Sequence, residues 1–194
     1  MYRRPLLNRY LVAGVLAFSG LMSQTAVAAA YKLDPSHTFI QFYTSHIGFG
    51  TIVGRFNTFN GSFNWDENNP TASSIQFTIQ MDSVDTNWAE RDKHLRGEEF
   101  LNVDKYPTAT FKSTAYIGNG DKGLMKGVLT LRDVSKPVTL RVERLGEGQD
   151  PWGGHRVGFK ATTSIKRSDF GNPRNLGPKS DVVELQFFME GVKQ

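Results

Sequence analysis

Hydrophobic and polar residues alternate along most of the chain after residue 30, which is the period of a β-strand. The clearest example runs from Ile75 to Met81, where every odd position is apolar and every even position is polar. The strands predicted in this way cover 38–46, 52–65, 75–81, 108–117, 124–131, 138–145, 157–165 and 183–189. Short turns rich in Gly, Asn and Pro separate them, so the pattern predicts about eight strands in an antiparallel meander.

One segment, between the third and fourth strands, has the period of a helix instead. Its predicted helix face is formed by residues at i, i+3, i+4 and i+7, which are Trp88, Arg91, Asp92 and Leu95. Asn87 and Glu90 are spaced as a capping box at the start of this helix, and Gly97 would end it. The sequence therefore predicts a short helical insertion in an otherwise all-β chain.

Several strands are apolar on both faces, as in Phe187-Phe188, and either a β-sandwich or a closed barrel explains such strands. Short connections favour an eight-stranded up-and-down antiparallel barrel, whose interior has room for one small ligand. The residues that the alternation directs into this pore are Ile40, Phe42, Ile75, Phe77, Ile79, Val157, Phe159, Leu185 and Phe187. A shift of one residue in register would reverse the assignment.

The N-terminal segment has the three-part layout of a secretory signal peptide. Arg3, Arg4 and Arg9 precede an apolar run over 11–22, which is shorter than the roughly 20 residues of a transmembrane helix. We expect cleavage after Ala28, with Ala29 as the second choice. Residues 1–28 are then a signal peptide and residues 29–194 a single domain in the bacterial periplasm, without stable membrane insertion.

Composition and charge exclude several function classes. The chain contains no cysteine, which removes disulfides, thiolate metal ligands and cysteine nucleophiles. Its 23 basic and 19 acidic residues become 20 and 19 once the signal peptide is removed, so no nucleic-acid partner is predicted. The histidines are not at metal-ligand spacing, and no nucleotide-binding motif is present. We therefore expect no metal and no cofactor.

The densest polar cluster lies on the predicted helix. In one interpretation Arg91 and Asp92 form an ion pair that holds the helix across the barrel mouth. In the other, Trp88, Arg91 and His94 meet the polar head group of a ligand whose apolar tail lies in the pore. The sequence leaves both interpretations open.

Several motifs resemble the YceI family of bacterial periplasmic proteins. They are Leu33-Asp34-Pro35-Ser36-His37, His46-Ile47-Gly48, Glu90-Arg91-Asp92-Lys93-His94-Leu95-Arg96, Lys105-Tyr106-Pro107 and Asp150-Pro151-Trp152-Gly153-Gly154. The resemblance implies a lipocalin-like eight-stranded barrel with a helical insertion, often dimeric, whose apolar pore accepts a polyprenyl or other long-chain lipid. It implies no catalytic residues. Asp133 stands where the family usually has Gly, and aspartate tolerates the positive φ of such a turn.

Three functions remain as hypotheses. The leading one is a periplasmic carrier for a polyisoprenoid or similar long-chain lipid, with a quinone precursor as one candidate ligand and a homodimer as one candidate state. The second is an enzyme acting on a small apolar substrate, with His94 or His46 as acid or base beside Asp92. The third is a stress-response protein that binds a partner and whose barrel is filled.

Overall fold

The computed structural model describes residues 28–194, and the predicted signal peptide lies outside the described residues except for Ala28. The strands are β1 (Ala29–Leu33), β2 (Phe39–His46), β3 (Gly50–Phe56), β4 (Phe59–Trp65), β5 (Ser74–Gln80), β6 (Val84–Asp85), β7 (Thr108–Gly118), β8 (Lys122–Leu131), β9 (Val134–Gln149), β10 (His155–Lys166) and β11 (Val182–Lys193). The helices are α1 (Ala89–Arg96) and the single turn α2 (Pro178–Asp181), and short 3-10 turns occupy Pro70–Ala72, Met81–Ser83 and Arg167–Phe170.

These strands form one closed antiparallel barrel of eight strands, three of which are each divided into two segments. The divided strands are β1 with β2, β3 with β4, and β5 with β6. β1 pairs with β4 while β2 pairs with β3, and β4 pairs with β5 while β3 pairs with β6. β7 to β11 continue the meander, and β11 closes it by pairing with both β1 and β2. The predicted barrel with its helical insertion is confirmed, and the sandwich is not formed.

Aromatic side chains fill the half of the barrel around β1, which we call the packed half. The Tyr31 ring stacks on Phe63 at 5.1 Å, and Phe159 makes edge contacts with Phe63 at 5.8 Å and with Trp65 at 5.0 Å. Around them are the buried side chains of Ile75, Tyr116, Met125, Leu140, Val157 and Met189. A void of only about 40 Å³ remains there, so this half forms an ordinary close-packed core.

Two arginines at the packed end are each surrounded by three carboxylates. Arg156 lies 2.6 Å from carboxylate oxygens of Asp34, Asp150 and Glu190. Arg144 makes ion pairs with Glu67 at 3.1 Å, Asp121 at 2.8 Å and Glu147 at 3.2 Å. Both guanidinium charges are therefore compensated by neighbouring carboxylates.

His37 lies in the same network, with Nδ1 2.9 Å from Asp34 Oδ2. Ligand atoms of Asp34, His37 and Glu190 lie within 4.8 Å of one another, which is close enough for a shared cation. Arg156 Nη1 already contacts both carboxylates, so the acidic groups have a cationic partner within the chain. His37 therefore bonds to Asp34 of its own loop, and Arg156 supplies the positive charge between the two carboxylates.

Acidification is expected to destabilise the protein through Asp34. Hydrogen bonds from Ser36, Arg156 and His37 hold the pKa of this carboxyl well below its usual range. A carboxyl of this kind contributes its stabilisation above the unfolded-state pKa of about 3.9 and loses it as the pH falls towards the folded-state value. We expect Asp34→Asn to lower the free energy of unfolding at about pH 7 and to weaken its decrease towards about pH 2. Urea unfolding across this range measures both effects, and parallel pH curves for the two proteins would contradict the prediction.

Candidate functional site

The half of the barrel opposite the packed half encloses a cavity of about 540 Å³, here called the main cavity. Its walls are strand residues, and its opening lies between α1 and the segments 97–106 and 167–181. A volume of this size is typical of sites that hold a small organic ligand. The wall at β3 depends on Gly54, because a Cβ there would lie 2.2 Å from the Phe42 ring.

Six of the nine predicted pore residues line the main cavity, namely Ile40, Phe42, Phe77, Ile79, Leu185 and Phe187. The other three do not reach it. Val157 lies in the packed half, where Ile75 and Phe159 border the small void. The alternation therefore places all nine on the inner face, but three of them lie too far along the barrel axis. Contact of any of these side chains with a ligand stays a prediction.

Other lining residues were missed by the sequence analysis. Ala109 and Leu129 line the main cavity from β7 and β8. The alternation of apolar and polar residues could have indicated them, but it is weaker in these two strands. Arg132 and Arg167 also line the cavity, although both lie at the ends of strands where no periodicity marks a direction. Arg132 and Asp133 form the β8–β9 turn with φ of 51° and 59°, which confirms the left-handed conformation expected for Asp133.

All three candidate head-group residues line the opening. Trp88 is 63% exposed while it borders the cavity, so the main cavity reaches solvent beside it. The helix covers Ala89–Arg96 and ends before Gly97 as predicted, but its N-cap is Trp88 and not Asn87. Asn87 has a φ of 62°, and its backbone N–H donates to Asp85 Oδ1 at 2.9 Å.

The ion pair between Arg91 and Asp92 in the first interpretation does not form, because both side chains bond to Thr86. Asp92 is buried and accepts hydrogen bonds from the Thr86 backbone N–H at 2.8 Å and from its hydroxyl. Arg91 donates from Nε to Thr86 Oγ1 at 2.7 Å and from Nη2 to the Thr86 carbonyl at 2.6 Å. Asp92 therefore anchors the start of the helix, while Arg91 faces the cavity.

His94 pairs with Glu99 rather than with Asp92. Its Nε2 lies 3.0 Å from Glu99 Oε2, and its ring makes an edge contact with Phe100 at 5.0 Å. The hydrogen bond with His94 and the charge of Arg174 lower the pKa of the Glu99 carboxyl. His46 also lines the main cavity, but Asp92 bonds to Thr86 and to neither histidine, so the histidine–aspartate pair required by the enzyme hypothesis is absent from the described site.

Two further arginines hold the segments that surround the opening. Arg132 donates from Nη1 to the Phe100 carbonyl and lies 5.0 Å from the Tyr106 ring centre. Arg167 donates from Nε to the Ser180 carbonyl at 2.9 Å and lies 5.7 Å from the Phe100 ring centre. Arg132 thus connects the β8–β9 turn to 97–106, while Arg167 holds the 167–181 segment together and contacts Phe100. Both guanidinium groups border the cavity at the same time.

Comparison with known proteins gives consistent results. The model of the YceI-like domain matches residues 31–191. The UPF0312 protein of Pseudomonas paraeruginosa is 49% identical over 191 residues, covering 97% of this chain and 100% of that protein. The UPF0312 protein of Yersinia enterocolitica is 48% identical over 195 residues, covering 100% of this chain and 99% of that protein.

Solved structures show the same fold. The YceI protein of Campylobacter jejuni has a TM-score of 0.69 and 31% identity, covering 77% of this chain and 90% of that one. A polyisoprenoid-binding domain from Saccharophagus degradans has a TM-score of 0.65 and 22% identity, covering 86% of this chain and 99% of that one. Within residues 28–194, no helix has the length and apolarity needed to cross a membrane. The family match across nearly all of the barrel and the two close relatives show that this chain belongs to the YceI-like family.

Proposed function

We propose that this protein binds a long-chain lipid, with a polyisoprenoid as the favoured class, and holds the lipid tail in the main cavity. The observation that carries the proposal is an apolar cavity of about 540 Å³ in one half of a closed barrel. Burial of a tail there is favourable by about 25 cal/mol for each Å² of apolar surface removed from water. The polyisoprenoid-binding domain from Saccharophagus degradans, which shares this fold, supports the choice of lipid class.

The tail would contact the six predicted residues that line the main cavity, together with Ala109 and Leu129. These side chains offer no directional contacts, and one methylene group is worth about 0.8 kcal/mol. Tails of similar length should therefore bind with similar affinity. Trp88, Arg91 and His94 would meet the head group, because they line the opening of the cavity.

The biological setting forms part of the same proposal. Removal of residues 1–28 would leave the barrel domain in the periplasm, where it would carry lipid, with a quinone precursor as one candidate cargo. We propose a homodimer as the working state. The third hypothesis requires a filled barrel, which describes the packed half but not the half that contains the main cavity. The presence of this cavity favours lipid binding over a stress-response role that uses the outer surface alone.

Native mass spectrometry of protein purified without detergent tests lipid binding. We expect a mass above that of the polypeptide, which disappears after organic extraction and returns when a prenyl alcohol such as farnesol or solanesol is added. The same spectra report whether the ligand is carried by a monomer or a dimer. Protein that is empty when purified and stays empty with every prenyl alcohol, fatty alcohol and fatty acid offered would contradict the proposed function.

A further inference from the structure

The opening of the main cavity carries an excess of positive charge. Four arginines line it, and Glu90 is the single carboxylate among the described lining residues. Arg174 is compensated, because it makes an ion pair with Glu99 at 3.0 Å. The remaining three, Arg91, Arg132 and Arg167, have no carboxylate oxygen within 4.0 Å in the described chain.

The partners of these three arginines are neutral groups. Arg91 bonds to the hydroxyl and carbonyl of Thr86, and Arg132 bonds to backbone carbonyls of the 97–106 segment. Arg167 bonds to two backbone carbonyls and to the side-chain oxygen of Asn172. Each guanidinium uses two or three of its five N–H donors in this way, so donors remain for a further acceptor.

Burial makes this missing compensation costly at Arg167. Desolvation lowers the pKa of Arg167, and the charge of Asp181 acts in the opposite direction without making an ion pair. The Asp181 carboxylate is instead bonded to the Ser168 backbone N–H at 2.9 Å and to its hydroxyl at 2.6 Å. A second charge of opposite sign beside Arg167 would therefore be stabilising.

The arginines at the two ends of the barrel differ in their carboxylate partners. Arg144 and Arg156 at the packed end each have three carboxylate partners, which is a compensated arrangement for partly buried charge. At the opening, where a ligand would enter, three arginines lack such partners. The difference indicates that the compensating anion at the opening is supplied by the ligand.

We propose that the main cavity selects long-chain amphiphiles with an anionic head group, a carboxylate or a phosphate, and that Arg91, Arg132 and Arg167 bind this head group. The inference rests on the proposed function and adds the sign of the head group and two residues that bind it. Guanidinium groups suit such anions because their planar donors match carboxylate and phosphate oxygens.

Ligands with one tail and different head groups test the proposal. Palmitate, hexadecyl phosphate and hexadecanol are titrated into the full domain, and tryptophan fluorescence or calorimetry gives each Kd. We expect both anions to bind at least about tenfold more tightly than the alcohol, with a preference that falls as salt is added. Inorganic phosphate alone should not displace palmitate at comparable concentrations, which separates an amphiphile site from a phosphate site.

The matched variants are Arg132→Gln with Arg167→Gln, and Arg141→Gln as control. Arg141 is exposed on the outer face of β9, so its replacement removes charge without touching the cavity. We expect the ratio of alcohol Kd to palmitate Kd to fall towards one in the double variant and to stay unchanged in Arg141→Gln. Because this ratio compares ligands on the same protein, a loss of folded protein affects both values alike.

The possible failures are distinguishable. If hexadecanol binds wild-type protein as tightly as palmitate, the anionic preference is wrong while lipid binding stands. If the preference persists unchanged in the double variant, the assignment of Arg132 and Arg167 is wrong. If neither palmitate nor any alcohol binds, both this inference and the proposed function are overturned.

Discussion

Replacing Ala109 with phenylalanine is expected to reduce the affinity for a long-chain lipid by about a hundredfold while the protein stays folded. Ala109 is buried on β7 and lines the main cavity, so a phenylalanine ring would extend into the unfilled volume. The ring would displace roughly three or four methylene groups of the tail, each worth about 0.8 kcal/mol. Lipid titration of Ala109→Phe against wild-type protein gives the loss, and urea unfolding checks the fold.

Ala161→Phe is the matched control for this experiment. Ala161 is also an alanine on the inner face, but it is 0% exposed and does not line the main cavity. Its pairing partners in the barrel are Val142 on β9 and Phe187 on β11. Overpacking there should lower the free energy of unfolding by about 1–3 kcal/mol. Equal destabilisation by the two substitutions would show that the volume beside Ala109 is not available.

The contrast between these alanines also shows what the sequence does and does not predict. Alternation determines which face of a strand is buried, and all nine residues assigned to the inside do point inward. The alternation carries no information about the position of a residue along the barrel axis. Ile75 and Ile79 share one face of β5, yet they are separated by roughly 13 Å along the strand. One borders the packed half and the other borders the main cavity.

The position of the packed half depends on contacts between strands that are distant in sequence. Tyr31, Phe63 and Phe159 come from β1, β4 and β10, and they meet only after the barrel has closed. The pairing of β11 with both β1 and β2 brings these strands together. The pattern of residues within each strand does not predict these contacts between strands. Turns and periodicity thus favoured the barrel and the family resemblance implied it, whereas neither indicated the division of its interior into a packed half and a cavity.

At the opening, the residue types were predicted more successfully than their partners. Arg91 and His94 do line the cavity, but Arg91 does not pair with Asp92 as one interpretation had it, and His94 does not pair with Asp92 as the enzyme hypothesis had it. Adjacent residues on a helix do not face each other, which explains why Arg91 and Asp92 form no ion pair. Both instead reach back to Thr86, the residue that precedes the turn into α1. A polar residue such as Thr86 before a helix is common, so the sequence does not mark it as a partner of Arg91 and Asp92. Its hydrogen bonds in the structure show this role.

Truncation of Phe159 should separate the stability of the barrel from its lipid binding. Phe159→Ala removes edge contacts with Phe63 and Trp65 in the packed half, where neighbouring side chains are held by the closed sheet and cannot collapse fully. We expect the free energy of unfolding to fall by about 3–5 kcal/mol. The affinity of the remaining folded protein for lipid should stay within about twofold of wild type, because Phe159 does not line the main cavity.

Phe42→Ala is the opposite case, and the two variants are best measured together by urea unfolding and lipid titration. Phe42 is buried but lines the main cavity, so one side of its ring already lacks packing partners and its removal should cost less stability than that of Phe159. Its loss should weaken lipid binding, because the tail loses apolar surface against which to pack. If Phe159→Ala keeps its stability but loses lipid binding, the binding site lies in the packed half and the prediction is wrong. The crossed result, in which stability falls in one variant and affinity in the other, requires two separate compartments within a single barrel.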